Sequence, residues 1–348
     1  MKVALIGLPG SGKSTVFSAL TGAGVDLRSG GRAETHLAVV PVPDPRVESL
    51  AEMFSSKKAI HATIEYADVA GLGKGGRTLD DSFLAAVRDA DALSLVIGAF
   101  ADAPGAEAEL ESVHLELVLS DLQVVEARLK RIEAEIGKGR KEGVPERDAL
   151  LRCRKRLEDG LPLRAVDFGA EEEKLLRGYA FLSRKPLLVV FNTAEDRRDF
   201  DLPPEGNART LVSYPKTGRI SFCAALESEV LAMGEEAEAF ALEMGLQALS
   251  RDKVLWMTYD LLGLITFLTA NEKESHAWPI PEGTTALRAA GLIHSDLQRG
   301  FIRAETISYE ELSRAGSWAE SRSRGLLRVE GKDYVVQEGD VILFRFNV

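Results

Sequence analysis

Eight residues near the start of the chain carry its clearest chemical signal, and they read G-L-P-G-S-G-K-S from Gly7 to Ser14. They match the pattern G-x-x-x-x-G-K-[ST] in full, with an apolar run before them and a helical pattern after them. The glycines let backbone N–H groups point inward as an anion nest. Lys13 supplies a positive charge for the β- and γ-phosphates of a nucleotide, and the Ser14 hydroxyl is a Mg²⁺ ligand. The residues predicted to bind nucleotide here are Gly7, Pro9, Gly10, Ser11, Gly12, Lys13, Ser14 and Thr15, and Lys13 is also predicted to be catalytic. A glycine-rich turn with a chance lysine is the alternative, and the strand–loop–helix context argues against it.

An acidic element, D-V-A-G, follows from Asp68 to Gly71. It fits the D-x-x-G element of GTPase-like proteins, in which a carboxylate at the end of a strand holds Mg²⁺, here through water. We expect the Gly71 N–H to contact the γ-phosphate and to be catalytic. Leu72 lies where Ras-like proteins place a glutamine that orients water. Because leucine cannot hydrogen-bond water, another group or the substrate itself must position the attacking water.

Two later elements are expected to contact the base. The first, N-T-A-E, runs from Asn192 to Glu195, where GTPases carry N-K-x-D and the aspartate accepts two hydrogen bonds from guanine. Thr193 replaces the lysine, and Glu195 is one methylene longer than aspartate, so both changes weaken the selection of guanine. A polar loop with a chance N-x-x-E is the alternative. The second element, I-S-F-C-A-A, provides the predicted contacts Ser221, Cys223 and Ala224.

Apolar runs that alternate with helical patterns place these elements on a mostly parallel α/β sheet. The runs cover residues 2–8, 64–70, 93–100, 186–192 and 220–224. A helix is expected over residues 14–21. The motifs therefore follow strands of one predicted sheet.

A long apolar seam interrupts this alternation, with members spaced alternately by three and four residues. They are Leu115, Val118, Leu122, Val125, Leu129, Ile132 and Ile136. A polar turn over residues 137–147 leads to a second, shorter stripe that contains Leu150, Cys153 and Leu157. The pattern predicts an antiparallel helical hairpin that projects from the α/β domain. Two ordinary surface helices are the alternative.

Composition limits the possible classes of function. The chain has 348 residues, enough for about two or three domains, and a formal net charge of −11. A chain this acidic is not a generic nucleic-acid binder, so an RNA contact must be local and no DNA partner is expected. Its two cysteines form neither a disulfide nor a zinc pattern, which indicates the cytoplasm. No apolar stretch approaches the roughly 20 residues of a membrane span.

The C-terminal part changes character, with short apolar runs and turn signals from about residue 264 that predict a small α+β domain. Its sequence also completes a resemblance: the chain resembles the YchF group of Obg-like ATPases over nearly its whole length. The segments that carry the resemblance are GLPGSGKST, VVPVPDPR at 39–46, DVAGL at 68–72, the N-x-x-E element, GLIHSDLQRGFIRAETISYEEL and VEGKDYVVQEGDVILFRFNV.

This resemblance implies a domain plan and a function. The plan is a P-loop G domain over residues 1–104 and 180–263, an inserted antiparallel coiled-coil hairpin over 105–179, and an α+β, ubiquitin-like TGS domain over 264–348. The implied activity is Mg²⁺-dependent binding of ATP in preference to GTP. Association with ribosomes or RNA through the TGS domain and the hairpin is also implied, and we expect a monomer.

Several positions depart from the family pattern. Gly10 and Ser11 replace Asn-Val, which the loop should tolerate, and the segment before residue 37 is about two residues short. Thr35 is the candidate for the family's switch threonine and a predicted metal ligand, although an ungapped alignment places Arg32 there. The loop after Phe100 lacks the family's histidine, and His114 is expected on the hairpin surface. These departures bear on hydrolysis more than on nucleotide binding.

Three functions remain compatible with these residues. The first is an ATP-hydrolysing molecular switch that signals through the hairpin and the C-terminal domain. The second is a nucleotide-binding module with negligible turnover, and the third is an Obg-type GTPase. A kinase is disfavoured because the sequence shows neither a second acceptor site nor a lid signature.

Overall fold

The computed structural model describes residues 1–22, 28–30, 35–69, 81–100, 103–138, 142–198, 200–246 and 249–347. The strands are β1 (Lys2–Ile6), β2 (Arg28–Gly30), β3 (Thr35–Pro41), β4 (Ala59–Ile60), β5 (Thr63–Asp68), β6 (Ala92–Ala99), β7 (Leu187–Thr193), β8 (Thr217–Phe222), β9 (Leu264–Ala270), β10 (Ser275–Pro281), β11 (Phe301–Ser308), β12 (Arg328–Glu330) and β13 (Asp340–Phe346). The α-helices are α1 (Lys13–Thr21), α2 (Pro45–Met53), α3 (Asp81–Asp89), α4 (Ala103–Gly137), α5 (Val144–Glu158), α6 (Ala170–Leu176), α7 (Asn207–Leu211), α8 (Ala224–Ala232), α9 (Ala237–Glu243), α10 (Ser250–Leu261), α11 (Ala286–Ile293), α12 (Ser295–Arg299), α13 (Tyr309–Ala315) and α14 (Trp318–Ser323).

The chain forms two compact units, Met1–Val40 with Glu65–Leu261 and Pro41–Ile64 with Leu262–Val348. Residues 41–64, which the sequence analysis assigned to the G domain, group with the C-terminal residues. The physical reason is that β4 adds a parallel edge strand to β10, and α2 packs against β9 and β10. A two-residue strand leaves no periodic signal, so the sequence pattern could not show this pairing.

The sheet of the first unit has the strand order β2-β3-β5-β1-β6-β7-β8. β1 pairs in parallel with β5 and β6, and β7 pairs in parallel with β6 and β8. All seven residues of β7 are buried, as expected for a parallel strand covered on both faces. The predicted parallel α/β sheet is therefore confirmed. The last predicted run ends early, since β8 stops at Phe222 and α8 begins at Ala224.

Helix α4 is one continuous helix with two successive packing faces. Its first part buries Ala106, Leu110, Val113 and Leu117 in the core of the α/β sheet. Its second part packs against α5 in a separate cluster that includes Val118, Val125, Leu129, Ile132, Leu150, Cys153 and Leu157. The contacts run antiparallel: His114, in the first half of α4, contacts Gly160 just after α5, whereas Arg128, in the second half of α4, pairs with Glu146 at the start of α5. The predicted antiparallel hairpin is thus confirmed.

Two details of the hairpin prediction are wrong. Leu115, the first residue of the predicted seam, is 52% exposed, because the neighbouring positions Val113 and Leu117 turn toward the sheet core instead. His114 is buried rather than on the surface, and its Nε2 lies 2.9 Å from the Gly160 carbonyl oxygen. Burial lowers the pKa of His114 below its ordinary value. This histidine joins the base of α4 to the end of α5.

The second unit has a mixed sheet with the strand order β12-β11-β13-β9-β10-β4. β11 pairs antiparallel with β12 and β13, and β13 pairs in parallel with β9. One face of the sheet packs against α11 around Phe267, Ala289, Ala304 and Phe344. The prediction of an α+β fold for the C-terminal residues is confirmed.

Candidate nucleotide site

The predicted site residues collect at one edge of the first sheet. Since β1, β5, β6, β7 and β8 are parallel, their carboxyl ends lie at the same edge, where open α/β sheets bind ligands. The phosphate loop follows β1, and Asp68 ends β5. Asn192 and Thr193 end β7, and Cys223 lies between β8 and α8. Tertiary structure thus brings together residues more than 200 positions apart in the chain.

The phosphate loop requires glycine either where φ is positive or where a side chain has no room. Gly10 and Gly12 have φ angles of 94° and 79°, which L-residues rarely adopt. A Cβ on Gly7 would lie 2.6 Å from the Val96 carbonyl oxygen, and one on Gly12 would lie 2.1 Å from Asn192 Nδ2. The Ser11 N–H donates to the Leu8 carbonyl oxygen at 3.1 Å and tightens the turn.

Three polar groups converge below this loop. The Lys13 ammonium forms an ion pair with Asp68 Oδ1, and the Ser14 hydroxyl donates to Asp68 Oδ2 at 3.3 Å. The side chains of Lys13 and Asp68 are only 11% and 8% exposed. The phosphate-binding cation, the hydroxyl ligand and the carboxylate predicted from separate motifs are therefore neighbours.

The hydroxyl and carboxylate oxygens suit a hard cation. Mg²⁺ takes oxygen ligands and usually keeps several of its waters. Ser14 Oγ lies 3.3 Å from Asp68 Oδ2, so the hydroxyl could bind the ion directly while the carboxylate holds one of its waters. Across the described ranges, no three His, Cys, Asp or Glu side chains form a metal-binding group. A site formed by Ser14 and Asp68 alone matches the usual Mg²⁺ arrangement, in which the protein supplies one or two ligands and the substrate phosphates supply others.

Two of the predicted site residues, Gly71 and Thr35, are not fully described. Gly71 lies outside the described residues, together with Leu72 and Arg32. Thr35 is the first residue of β3, where it pairs with Gly30 of β2, but its side chain is outside the description.

Asn192 has a connecting role that the sequence analysis missed. Its Nδ2 donates to the Ser11 carbonyl oxygen at 3.1 Å, and its Oδ1 accepts from the Ala224 N–H at 3.2 Å. The residue is 3% exposed. It therefore joins the phosphate loop to the start of α8 in addition to any contact with the base. An asparagine that directly ends a buried run was the available signal.

Glu195 and Thr193 differ in their surroundings. Thr193 is buried, and its hydroxyl has no hydrogen-bond partner among the described atoms. Glu195 is exposed at the start of a short 3-10 turn. An exposed carboxylate is less constrained than the fixed aspartate that a guanine-selective site requires.

A cavity of about 350 Å³ opens beside the turn from β8 to α8. It is lined by Arg198, Ser221, Phe222, Cys223, Leu226, Glu227, Gly245, Leu246 and Ser250. Glu227 is buried and caps α10, accepting from the Ser250 N–H at 2.9 Å, and burial raises its pKa. Arg198 donates to the Met244 carbonyl oxygen at 2.9 Å. Neither residue belongs to a motif, so the sequence carries no signal for either of them.

Glu109 connects the hairpin to the site. The Oε2 of this α4 carboxylate accepts the Gly98 N–H at 3.2 Å, and the backbone N–H of Leu8, in the phosphate loop, lies near the same carboxylate. Burial raises its pKa above the ordinary value of a glutamate. Helix α4 is thus hydrogen-bonded to the end of β6 and places a buried carboxylate next to the phosphate loop.

The fold and site define a class: a phosphate loop after a central parallel strand, facing a strand-end carboxylate, is the arrangement of a P-loop NTPase of the GTPase-like type. A family model described as a 50S ribosome-binding GTPase matches residues 2–127. A C-terminal YchF-GTPase model, described as a protein of unknown function, matches residues 264–347.

Full-length relatives narrow the class to one family. The chain is 38% identical to the ribosome-binding ATPase YchF of Bacillus subtilis, over 99% of this chain and 98% of that protein. It is 36% identical to the protein of the same name from Escherichia coli O157:H7, over 100% and 99% of the two chains. The structure of the Schizosaccharomyces pombe YchF GTPase superposes with a TM-score of 0.84 at 26% identity, covering 99% of this chain and 97% of that one. The chain belongs to the YchF family. No helix in the described part of the chain is both long enough and apolar enough to cross a membrane.

Proposed function

We propose that the protein is a molecular switch that binds ATP with Mg²⁺, hydrolyses it slowly and acts at the ribosome in the cytoplasm. The observation that carries the proposal is the convergence of Lys13, Ser14 and Asp68 below the phosphate loop. The bacterial relatives named ribosome-binding ATPases support both the nucleotide and the partner. Hydrolysis adds water to the γ-phosphorus, breaks its bond to the β–γ bridging oxygen, and releases ADP and phosphate.

Ser14 and Asp68 would hold the Mg²⁺ ion, with Thr35 as a further candidate ligand. The ion supplies neutralisation of phosphate charge when it is bound. Lys13 places its ammonium against the β- and γ-phosphates, and the Gly71 N–H is proposed to contact the γ-phosphate. Because Leu72 offers no hydrogen bond to water, turnover without a partner is expected at about 10⁻⁴ to 10⁻² s⁻¹, as in unassisted switch proteins.

Measurement of turnover with and without ribosomes tests the switch. Ribosomes are expected to accelerate the release of phosphate. Turnover above about 1 s⁻¹ without a partner would reveal a missed catalytic group, since it exceeds the range of unassisted switch proteins. Nucleotide binding without measurable hydrolysis under either condition would favour the alternative of a binding module.

The proposed preference for ATP rests on the base-binding element. Glu195 is exposed and one methylene longer than the aspartate that reads guanine, and Thr193 removes the lysine stem that packs over the loop. Losing a charged hydrogen-bonded pair costs about 1.5–3 kcal/mol. That is enough to remove a preference for GTP, so ATP should bind at least as well.

A GTPase is the second candidate, and the names of two similar proteins favour it. The fission yeast structure is called a GTPase, and the model over residues 2–127 is that of a GTPase. Side-by-side titration of ATP and GTP with Mg²⁺ separates the two. GTP binding more than tenfold tighter than ATP would overturn the ATP preference and return the protein to the Obg-type GTPases.

Glu109 is proposed to transmit the nucleotide state to the hairpin, because from α4 it accepts the Gly98 N–H and lies near Leu8 of the phosphate loop. Glu109→Ala is expected to reduce the acceleration by ribosomes more than the basal turnover. Glu107→Ala, two positions away on the same helix, is the control. Equal acceleration in both variants and the wild type would remove the proposal.

A further inference from the structure

The second unit carries a polar surface on the face of its sheet opposite the α11 core. In the register of β11 and β13, Arg303 faces Arg345 and Glu305 faces Leu343. The alternate residue Ala304 is buried in the core with Phe344. Because side chains alternate along a strand, Arg303 and Glu305 project to the other face.

Three arginines meet one glutamate on this face, and we call the group the arginine pocket (Arg303, Arg322 and Arg345 around Glu305). Glu305 Oε1 accepts from Arg303 Nη2 at 3.1 Å and from Arg345 Nε at 3.2 Å. Glu305 Oε2 accepts from Arg322 Nη2 at 2.9 Å and from Arg345 Nη2 at 3.1 Å. Arg322 comes from α14, so the group joins a helix to the sheet.

The arginine pocket keeps a surplus of positive charge at an accessible place. One carboxylate balances only one of three guanidinium groups. The Glu305 side chain is 6% exposed, whereas the arginines are 45% to 61% exposed. A cavity of about 390 Å³ lies against them and is also lined by Gly325, Leu327 and Val329. This volume is within the range of about 300–1,000 Å³ that is typical of ligand sites.

Glu305 organises the three cations. Like charges repel, so three guanidinium groups stay together only where a buried anion holds them. The hydrogen bonds from Arg345 and Arg303 keep the pKa of Glu305 at about 2, so the carboxylate is ionised at neutral pH. The arginines are therefore already oriented in the folded protein, and a ligand need not pay that ordering cost.

Arg328, on the adjacent strand β12, differs from these three arginines because its charge is neutralised by a carboxylate of its own. Its Nη2 donates to Asp340 Oδ1 at 2.9 Å, and Asp340 is 2% exposed. Here one carboxylate neutralises one arginine, and the Tyr334 hydroxyl donates to the other carboxylate oxygen, Asp340 Oδ2, at 2.7 Å. Arg328 therefore has no surplus charge for a ligand.

We infer that the arginine pocket binds the phosphate backbone of RNA. The inference rests on the proposed action at the ribosome and specifies where RNA is held. Arginine's planar fork matches phosphate oxygens in pairs and suits nucleic-acid recognition. In a chain of net charge −11, a built cationic site is needed to overcome general repulsion of a polyanion. The exposed Val329 side chain offers an apolar contact for the carbon atoms of a ribose.

The main test compares the wild type with a triple variant, Arg303→Gln, Arg322→Gln and Arg345→Gln. The control removes the same charge from exposed arginines of the same unit, Arg299→Gln, Arg314→Gln and Arg324→Gln. The probes are labelled ribosomal RNA stripped of protein, and intact ribosomes in cosedimentation. The triple variant should bind the RNA at least tenfold more weakly, with a dependence on salt that is less steep by about one to two phosphate contacts. The control should stay within about twofold.

Glu305→Gln separates a built site from diffuse attraction. This change makes the surface more positive, so diffuse attraction predicts tighter RNA binding. An organised pocket predicts weaker binding, because the arginines lose the anion that holds them. Arg322→Gln alone, at the exposed α14 position, provides a milder variant with an expected threefold or greater loss if the triple variant fails to fold.

Each outcome decides the inference. RNA binding that is equal in the triple variant and the wild type overturns it. Loss of ribosome binding with unchanged RNA binding assigns the pocket to an acidic protein surface instead, and overturns the RNA assignment. If the wild type does not cosediment with ribosomes, the proposed ribosomal function is wrong. The binding of free RNA to the wild type and the triple variant still tests the arginine pocket in that case.

Discussion

In both the phosphate site and the arginine pocket a buried carboxylate contacts cationic side chains, but the net charge of the two groups differs. In the first, Asp68 is buried and contacts Lys13 and Ser14. In the second, Glu305 is buried and contacts three arginines. The first group is balanced, with one cation for one anion, whereas the second carries two surplus positive charges. A buried carboxylate therefore positions cations in both regions, and the number of cations decides how much charge remains for a ligand.

The surrounding backbone explains why the balanced site can still bind an anion. The phosphate loop adds inward N–H groups and the N-terminus of α1, which attract phosphate without a further side-chain charge. The arginine pocket lies on a sheet face, where strand dipoles largely cancel. Side-chain charge must supply the attraction there. The two regions thus favour phosphate by backbone dipoles in one case and by guanidinium groups in the other.

Lys13→Ala is expected to have the largest effect of the substitutions at the phosphate site. It removes the cation that faces the β- and γ-phosphates, so triphosphate affinity should fall by more than tenfold, about 1.4 kcal/mol or more. Isothermal titration with ATP and Mg²⁺ measures the change. Lys174→Ala is the control, because that lysine is exposed and, among the described residues, pairs with Glu171 alone. Near-wild-type affinity of Lys13→Ala contradicts the phosphate-site assignment.

Asp68→Asn sharpens the comparison by removing the anion of the balanced group. Lys13 is then free for phosphate, while the Mg²⁺ ligand is lost. The affinity for ATP without Mg²⁺ should be unchanged. The increase in ATP affinity that Mg²⁺ causes should be smaller by about tenfold, or about 1.4 kcal/mol. Titrations with Mg²⁺ and with a chelator measure both quantities. An undiminished Mg²⁺ effect would remove Asp68 from the metal site.

Glu305→Gln tests the unbalanced group through stability. Hydrogen bonds to charged groups contribute about 1.5–3 kcal/mol, and the exposed arginines recover part of this from water, so we expect a loss of about 1 kcal/mol at pH 7. Since the folded pKa is lowered to about 2 from 4.5, the contribution is complete above about pH 5 and declines as the pH falls toward 2. Urea unfolding of both proteins at pH 7 and pH 3.5 measures it. A difference that does not shrink at the lower pH would contradict an ionised Glu305.

The local motifs of the phosphate site could be predicted from the sequence itself. The phosphate loop, Asp68 and the parallel strands follow from residue types at short spacing, because each depends on neighbours in the sequence. The hairpin followed from its seam as well, although Leu115 faces solvent. That error arose because α4 changes its packing partner within one helix, and a heptad pattern cannot tell which partner each residue faces.

Relations between distant residues were decided only in three dimensions. The sequence by itself predicted a phosphate-binding loop, a metal-binding carboxylate and a weakened guanine element. The tertiary structure decided that Asn192 joins the loop to α8 and that Glu109 reaches the loop from the hairpin. It also gathered Arg303, Arg322 and Arg345 on one glutamate. None of these leaves a periodic signal, because strand register and helix packing, rather than spacing along the chain, bring the side chains together.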